Sequence, residues 1–258
     1  MTSKIQIHHD VDVMVITVNN PPINAGSTEV RKGILDAIHL FQNDPHLAAA
    51  VIIGGCSTFI AGSDIKEFSQ PLAEPHLPSV IAAIEDCPKV VVCALHGAAL
   101  GGGWEVALIG HARFALDNPK IQLGLPEVSL GLLPGATGVT KMTRLLGLMG
   151  AQPYLMEGKL LNPQKALELG LIQGLAKDPQ ALLAMGMAFI EANPQAVQPW
   201  DRKDYKMPGG TPATPKIAQG LSVMPAMMFN KTHGLYPAAQ AILECMVEGA
   251  QVDYDTAT

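Results

Sequence analysis

The sequence predicts an α/β protein, because short strand patterns alternate with helical patterns and glycine turns join them. Residues 5–18 alternate apolar and polar side chains as a pair of strands does, with a break near residues 9–10. Residues 28–41 return to a helical period, and residues 48–55 and 90–95 are apolar runs short enough to be buried strands.

Prolines and helix-capping residues set the limits of the first strands and helices. Residues 19–22, Asn-Asn-Pro-Pro, end the strand pair because proline cannot donate to a strand ladder. Ser27 or Thr28 can cap the helix that follows. Its apolar face comprises Val30, Ile34, Ile38 and Phe41. Residues 78–84 predict a second short helix before the strand at 90–95.

The stretch from residue 90 to residue 108 predicts a strand, a turn of three glycines at 101–103, and a helix. A glycine turn at the start of a helix leaves backbone N–H groups pointing outward, so it can hold an oxyanion or a phosphate. A second turn of small residues, 61–63, is followed by Asp64, which suits the first turn of another helix.

Composition excludes several classes of function. The chain has 258 residues, 48% hydrophobic and 16% charged, so it can bury a large core. A net charge of −6 without any Lys/Arg run argues against nucleic acid or a membrane surface as partner. The four cysteines lack metal or disulfide spacing and have apolar neighbours, so we expect reduced core thiols in a cytoplasmic protein.

Two acidic residues, Glu105 and Glu127, stand alone in apolar runs. A carboxylate in such surroundings is costly unless it has a partner. For each residue, a half-exposed or structural role is an alternative to function. Together with two glycine turns they favour a site where one carboxyl group acts as acid and the other as base. Ser63 and His96 are interpreted as turn residues rather than as a nucleophile or a ligand.

Several motifs resemble, in their order and spacing, the enoyl-CoA hydratase (crotonase) family. They are residues 59–65 (FIAGSDI), 96–105 (HGAALGGGWE), 125–135 (LPEVSLGLLPG) and 165–172 (KALELGLI). The resemblance extends over about residues 5–190. It implies an α/β spiral of repeated strand-strand-helix units with a C-terminal helical extension.

The resemblance implies reversible hydration of trans-2-enoyl-CoA to 3-hydroxyacyl-CoA in fatty-acid β-oxidation. The backbone N–H groups of Ser63 and Gly102 would hold the thioester oxygen. Glu105 would activate water for attack at C3, and Glu127 would deliver a proton to C2. Enoyl-CoA isomerisation and a catalytically inactive acyl-CoA binding module remain the alternatives.

The family also implies where coenzyme A and water bind. Ala61, Asp64 and Ile65 lie in the turn that would receive coenzyme A, Lys66 is a candidate phosphate contact, and the N–H of Gly135 would help to place the water. No metal or redox cofactor is expected, because the substrate itself carries the coenzyme A. Catalytic relatives form homo-oligomers, commonly trimers or hexamers.

Two departures from the family pattern affect this site. Two glycines usually follow the Pro-Gly-Ala motif, whereas here Thr137 and Gly138 follow it. This difference affects the expected pocket rim. The spacing from Glu105 to Glu127 is also slightly longer than the family pattern, which places extra residues near Asp117.

The C-terminal part predicts a separate region. Residues 193–212 are rich in proline and charge and predict an extended linker, and residues 237–249 predict a helix with an apolar stripe. The linker resembles that of multifunctional fatty-acid oxidation proteins, in which a 3-hydroxyacyl-CoA dehydrogenase follows. We therefore predict a hydratase domain at residues 1–192, then a linker and helix at 193–258 that lead to a dehydrogenase domain outside this sequence.

Overall fold

The computed structural model of the chain describes residues 3–71 and 73–258. The chain forms two units, each built from two segments. The first contains residues up to 123 together with residues 161–197, and the second contains residues 124–160 together with residues 198–258. The functional division predicted between residues 192 and 193 stays a prediction.

One mostly parallel sheet organises the first unit. The strands are β1 (Ile5–Asp10), β2 (Val13–Val18), β3 (Ala49–Gly54), β4 (Val90–Leu95), β5 (Ala99–Leu100), β6 (Ala112–Leu116), β7 (Leu123–Gly124) and β8 (Gly174–Ala176). Six of them form the main sheet in the order β1-β2-β3-β4-β6-β8, in which β1 is antiparallel to β2 and the remaining neighbouring pairs are parallel. Strands β5 and β7 form a separate two-stranded sheet. The predicted strand pair at 5–18 is confirmed, with its turn at residues 11–12.

Helices connect the strands and continue to the C-terminus. They are α1 (Thr28–Asn43), α2 (Leu77–Glu85), α3 (Gly102–Ile109), α4 (Gly138–Leu155), α5 (Pro163–Glu168), α6 (Pro179–Ala192), α7 (Pro215–Thr232), α8 (Pro237–Gly249) and α9 (Tyr254–Ala257). Ser27 caps α1, because its side chain accepts a bond from the Val30 N–H. The α/β class and the helix predicted at 237–249 are confirmed.

Both faces of the sheet are buried along β4 and most of β3, whereas the edge strand β1 is largely exposed. Side chains alternate along each strand, so Val92 packs with Leu182 and Ile190 of α6, while its neighbours Val91 and Cys93 face the other way and are equally inaccessible. Each such side chain stabilises the fold by about 1.5–3 kcal/mol when fully buried. The parallel strands β3 and β4 therefore end at one firmly held edge, where residues 55–67 and 96–103 begin.

The segment after Asp64 forms a single 3₁₀ turn, Ile65–Glu67, rather than the longer helix that the sequence indicated. The Asp64 carboxylate accepts the Lys66 N–H at 3.0 Å, which is the predicted capping interaction. The bonds that follow join each N–H to the carbonyl three residues earlier, as in Phe68 N–H to Ile65 O. Such turns are short because their hydrogen-bond geometry is poorer than that of an α-helix.

Helix α7 was missing from the sequence prediction. Apolar residues recur at helical spacing on its buried side, at Ile217, Leu221, Met224 and Met228. The exposed side is also apolar, with Val223, Met227 and Phe229, and Pro225 lies within the helix. These features obscure the apolar stripe by which a surface helix is recognised in a sequence. Within the predicted linker, Trp200 is largely buried and stacks on Tyr254 with ring centroids 4.9 Å apart, so this part of the linker is anchored.

The four cysteines, all predicted to lie in the core, differ in burial, and Cys56 is half-buried. Cys87 and Cys93 are buried as predicted, and burial raises the pKa of the Cys93 thiol to about 12. Cys245 is exposed, so the core prediction is wrong for this residue, which lies on the outer side of α8. A cytoplasmic location stays a prediction. No helix in the described ranges is long and apolar enough to cross a membrane.

Candidate active site

Two loops at the ends of β3 and β4 are joined by backbone hydrogen bonds. The Phe59 N–H donates to Ala98 O at 3.0 Å, and the Leu100 N–H donates to Ile60 O at 3.1 Å. These bonds hold residues 60–67, hereafter the 60–67 turn, beside the glycine turn at residues 101–103. The two glycine-containing turns of the sequence therefore share one rigid frame.

Gly102 and Ser63 present backbone N–H groups in this frame. Gly101 has φ +53°, a left-handed conformation that favours glycine, and its carbonyl already accepts the N–H groups of Trp104 and Glu105. Within the described residues, neither the Ser63 nor the Gly102 N–H has an acceptor. A Cβ built on Gly102 would lie 3.6 Å from Ser63 Oγ, so the two predicted donors are neighbours.

These two residues line a narrow cavity of about 20 Å³, which has room for roughly one water-sized group. Most of its wall is apolar and comes from the 60–67 turn, α1, α2 and α3, through Val30, Ile34, Ile60, Leu77 and Val106. Hydrogen bonds to a ligand oxygen are stronger in such surroundings than in water, because the local dielectric constant is low. The cavity thus suits an oxygen atom that gains negative charge.

Glu105 lies in the first turn of α3, three residues after Gly102, and is only 2% exposed. This burial excludes the half-exposed alternative for Glu105. The start of a helix favours a negative charge through the helix dipole. The helix therefore places a buried carboxyl group in the same turn as Gly102, one of the two predicted oxyanion donors.

Glu127 and Gly135 belong to the second unit. Glu127 is half-buried and begins the 3₁₀ turn Glu127–Leu130. Tyr236 binds this turn, because its hydroxyl accepts the Gly131 N–H at 3.0 Å and donates to Val128 O. Sequence reasoning missed Tyr236, whose only local signal is its place directly before the proline that opens α8. Gly135 is exposed, and a Cβ there would meet no atom within 4 Å in the described structure.

The residues predicted to receive coenzyme A all lie in the 60–67 turn. Ala61 and Asp64 are half-buried, whereas Ile65 is 76% exposed and Lys66 is exposed. The Lys66 ammonium group is thus accessible to a phosphate in solution. No group of three or more His, Cys, Asp or Glu side chains in the described ranges is arranged to hold a metal ion.

His96 packs beside the turns, as the sequence indicated. It is half-buried, and its Nε2 lies 2.6 Å from Cys56 O. Burial lowers the pKa of this imidazole, which keeps it neutral near pH 7. Its interactions are those of a packed turn residue.

Arg31 and Glu67 form an ion pair between α1 and the far end of the 60–67 turn. Arg31 Nη1 lies 2.9 Å from Glu67 Oε2, and the Thr28 N–H and hydroxyl donate to Glu67 Oε1 at 2.6 and 2.9 Å. Burial acts to raise the pKa of Glu67, but the bonds from Thr28 and Arg31 outweigh it and hold this pKa below its ordinary value of 4.5.

This lowered pKa predicts an acid-dependent loss of stability. Ionised Glu67 stabilises the fold above its unfolded-state pKa, and that contribution disappears as pH falls through its lower folded-state pKa. Glu67→Gln should therefore lower the free energy of unfolding at pH 7, and the difference from wild type should shrink as pH falls below 4.5 and through the lower folded-state pKa of Glu67. Urea unfolding of both proteins at several pH values measures this difference, and one that does not change with pH would contradict the assignment.

Comparison with known proteins assigns the chain to a family. Residues 9–188 match the family model described as enoyl-CoA hydratase/isomerase. The chain belongs to the enoyl-CoA hydratase/isomerase family. The matched range contains the 60–67 turn, the glycine turn, Glu105 and Glu127.

Relatives of this family differ in how much of their length the chain spans. The peroxisomal bifunctional enzyme of Danio rerio is 41% identical over 69% of this chain, which spans 24% of that relative. The fatty acid oxidation complex subunit alpha of Shewanella loihica is 32% identical over 95% of this chain, which spans 35% of it. A probable enoyl-CoA hydratase of Bacillus subtilis is 36% identical, with 73% of this chain and 76% of the relative covered.

The fold is that of the enoyl-CoA hydratase/isomerase family. The solved structure of enoyl-CoA hydratase subunit I from Geobacillus kaustophilus matches with a TM-score of 0.67 and 26% identity, and the match covers 74% of this chain and 75% of that one. The predicted crotonase-type fold, with helices at its C-terminal end, is confirmed.

Thr137 departs from the family pattern at a strained position. Its φ of +73° lies in the left-handed region, which is costly for a β-branched residue and free for glycine. This explains the glycine that the family usually has there. Here the Thr137 hydroxyl accepts a bond from the buried Lys141 ammonium group, an interaction that glycine cannot make.

Proposed function

We propose that the chain catalyses the reversible hydration of trans-2-enoyl-CoA to 3-hydroxyacyl-CoA. The observation that carries this proposal is the placing of buried Glu105 in the same helical turn as Gly102, which lines the cavity together with Ser63. The family match and the relatives named for enoyl-CoA hydration and fatty acid oxidation support it.

In the proposed reaction, the thioester oxygen accepts the N–H groups of Ser63 and Gly102. Glu105 takes a proton from water as the water oxygen bonds to C3, and electrons of the double bond move towards the thioester oxygen. Glu127 gives a proton to C2, and proton exchange with solvent restores both carboxyl groups. Each acid–base group contributes about 10²- to 10⁴-fold and each oxyanion donor about 10²- to 10³-fold to the rate.

The reaction needs no oxidant or reductant, because the elements of water add across the double bond. We therefore propose a coenzyme A thioester as the substrate and no redox cofactor or metal ion. The 60–67 turn, through Ala61, Asp64, Ile65 and Lys66, is the proposed contact for coenzyme A, and Gly135 is proposed to help place the water.

The chain spans about a quarter to a third of the length of two of its relatives. Their names, a bifunctional enzyme and a complex subunit, support association with a second activity. We propose that this activity is a 3-hydroxyacyl-CoA dehydrogenase, which consumes the hydration product. A homo-oligomer of three or six chains is a further prediction, measured by light scattering.

Isotope labelling tests the proposed function directly. The purified chain is incubated with crotonyl-CoA in H₂¹⁸O, and the products are analysed by mass spectrometry. Hydration predicts 3-hydroxybutyryl-CoA that carries one ¹⁸O on C3. A parallel incubation with a 3-enoyl-CoA tests for isomerisation, which moves the double bond without taking up label.

Three results would contradict hydration. Conversion of the 3-enoyl-CoA without ¹⁸O uptake from crotonyl-CoA would indicate an isomerase. Thioester binding without turnover of either substrate would indicate an acyl-CoA binding module. Absence of thioester binding would exclude both the enzyme and the binding module. A series of 2-enoyl-CoA lengths in the same assay then measures the acyl-chain preference.

A further inference from the structure

We propose that Arg31 is a positioning residue that fixes the 60–67 turn, so that the Ser63 N–H points at the substrate's thioester oxygen. The inference rests on the proposed function for its chemistry. It concerns a residue outside the predicted catalytic set, on α1 rather than on either turn.

Every N–H donor of the Arg31 guanidinium group binds the protein. Nε donates to Pro75 O at 2.8 Å, and Nη1 donates to Gly26 O and Glu67 Oε2, each at 2.9 Å. Nη2 donates to Thr28 Oγ1 at 3.0 Å and to Ala73 O at 3.2 Å. Arginine has only these five donors, so no donor is left for the substrate although Arg31 lines the cavity.

One set of these bonds reaches the near end of the 60–67 turn. The Gly26 N–H donates to Gly62 O at 2.8 Å, and Gly26 and Ser63 pair as an isolated parallel bridge. Because Arg31 binds the carbonyl of the same Gly26, it holds the chain segment against which the Ser63 backbone rests. A shift of Gly26 would therefore move Ser63.

The ion pair holds the far end of the turn. Glu67 lies four residues after Ser63, and its two carboxylate oxygens bind Arg31 and Thr28. The side chains of Arg31 and Glu67 are only 12% and 29% exposed, so solvent screens their interaction less than that of a surface pair. Ser63 thus lies between two points that Arg31 fixes.

The position of the Ser63 N–H affects the reaction because an oxyanion donor must lie at a precise distance from the thioester oxygen. An oxyanion donor acts at 2.7–3.1 Å from the oxygen, and a displacement of about 1 Å can cost about 10²-fold in rate. Loss of Arg31 should thus weaken stabilisation of the transition state. Arg31 has no free donor for the ligand, so coenzyme A binding should weaken only through the shift of the 60–67 turn, and by less than the rate.

Steady-state kinetics of Arg31→Met test the proposal. We expect kcat for crotonyl-CoA hydration to fall about 10- to 100-fold, and KM to rise by a smaller factor because the 60–67 turn also carries the proposed coenzyme A contacts. Lys32→Met is the matched control, because it removes one positive charge from the same helix and breaks an exposed ion pair, that with Asp36. Arg31→Lys should stay well below wild type, because one ammonium group cannot replace five donors in fixed geometry.

A spectroscopic readout separates this proposal from the proposed function. A conjugated aryl-2-enoyl-CoA absorbs at longer wavelength when its carbonyl oxygen is strongly hydrogen-bonded. Wild type and Lys32→Met should show this red shift on binding, and Arg31→Met should lose much of it. Glu67→Gln, which keeps the size of the side chain, should change kcat and the shift in the same direction and serves as the second variant if Arg31→Met does not fold.

The outcomes are distinguishable. A wild-type red shift that Arg31→Met loses supports positioning even if no variant hydrates crotonyl-CoA, in which case only the proposed function fails. If Arg31→Met keeps both the hydration rate and the red shift of wild type, the positioning role of Arg31 is wrong and the proposed hydration is unaffected. A raised KM with unchanged kcat would mean that Arg31 binds substrate, which also overturns the proposal.

Discussion

Replacement of Glu105 by glutamine should lower kcat for crotonyl-CoA hydration by about 10²- to 10⁴-fold with little change in the fold. Glutamine keeps the shape of the side chain but cannot take a proton from water. Because Glu105 is 2% exposed, bulk water cannot easily replace it as the base. Initial rates of enoyl-CoA loss, measured on the variant and on wild type, check the prediction.

Glu168→Gln is the control for this variant, because Glu168 is an exposed residue that forms a surface ion pair with Lys165. Its rate should equal that of wild type. The companion variant Glu127→Gln should lose hydration to a similar degree, because the proposed reaction uses the second carboxyl group to protonate C2. If Glu105→Gln and Glu127→Gln each hydrate crotonyl-CoA at the wild-type rate, the proposed mechanism is wrong.

The separate effects of the two glutamates would also distinguish the reactions open to this family. Hydration as proposed needs one group to activate water and another to protonate carbon. Isomerisation can use one carboxyl group that carries a proton between two carbons. Both variants should lose ¹⁸O uptake. If one of them still moves the double bond of a 3-enoyl-CoA, the glutamate replaced in that variant acts on the water alone.

The sequence predicted the centre of the fold because its signals there are local. The apolar strand at 90–95, the glycines at 101–103 and the following apolar run each determine their own conformation, and the structure places β4 and α3 accordingly. Burial of Glu105 was also foreseeable, since every neighbour in α3 is apolar or small. The roles of the site residues stay predictions until the variants are assayed.

The connections between distant segments could not be predicted. Arg31 and Glu67 are separated by 36 residues, and each alone is an ordinary charged residue on a helical or turn segment. Tyr236 and Val128 are 108 residues apart. No periodicity or turn signal links such positions, because the fold brings them together only after the local elements have formed.

Each of the three glycines in the glycine turn, residues 101–103, is required for a different physical reason. Gly101 adopts the left-handed conformation, and a Cβ on Gly102 would approach Leu77 Cδ2 to 2.7 Å. A Cβ on Gly103 would lie 2.0 Å from Ile60 O, a backbone atom that cannot move without moving its chain. Gly103 is therefore the position at which a single methyl group should disturb the site most.

Gly103→Ala should lower the free energy of unfolding by about 1–3 kcal/mol, the usual cost of overpacking a buried position. The methyl group would push the Ile60 carbonyl away from its bond with the Leu100 N–H, and this bond joins the two turns that carry Ser63 and Gly102. Hydration should therefore fall as well, even in the fraction that stays folded. Urea unfolding at 25 °C and kcat below the transition measure the two effects.

Gly150→Ala provides the matched control, because Gly150 lies exposed in α4 and its Cβ would make only an ordinary 3.4 Å contact with Leu146. Alanine there should raise stability by about 0.5–1 kcal/mol and leave kcat unchanged, since it restricts the unfolded chain and strains nothing. Equal stability and activity of Gly103→Ala and wild type would mean that the two turns are not held together by the close approach of Gly103 to Ile60. The frame proposed to align both oxyanion donors would then have to depend on the Arg31 contacts and the remaining backbone bonds.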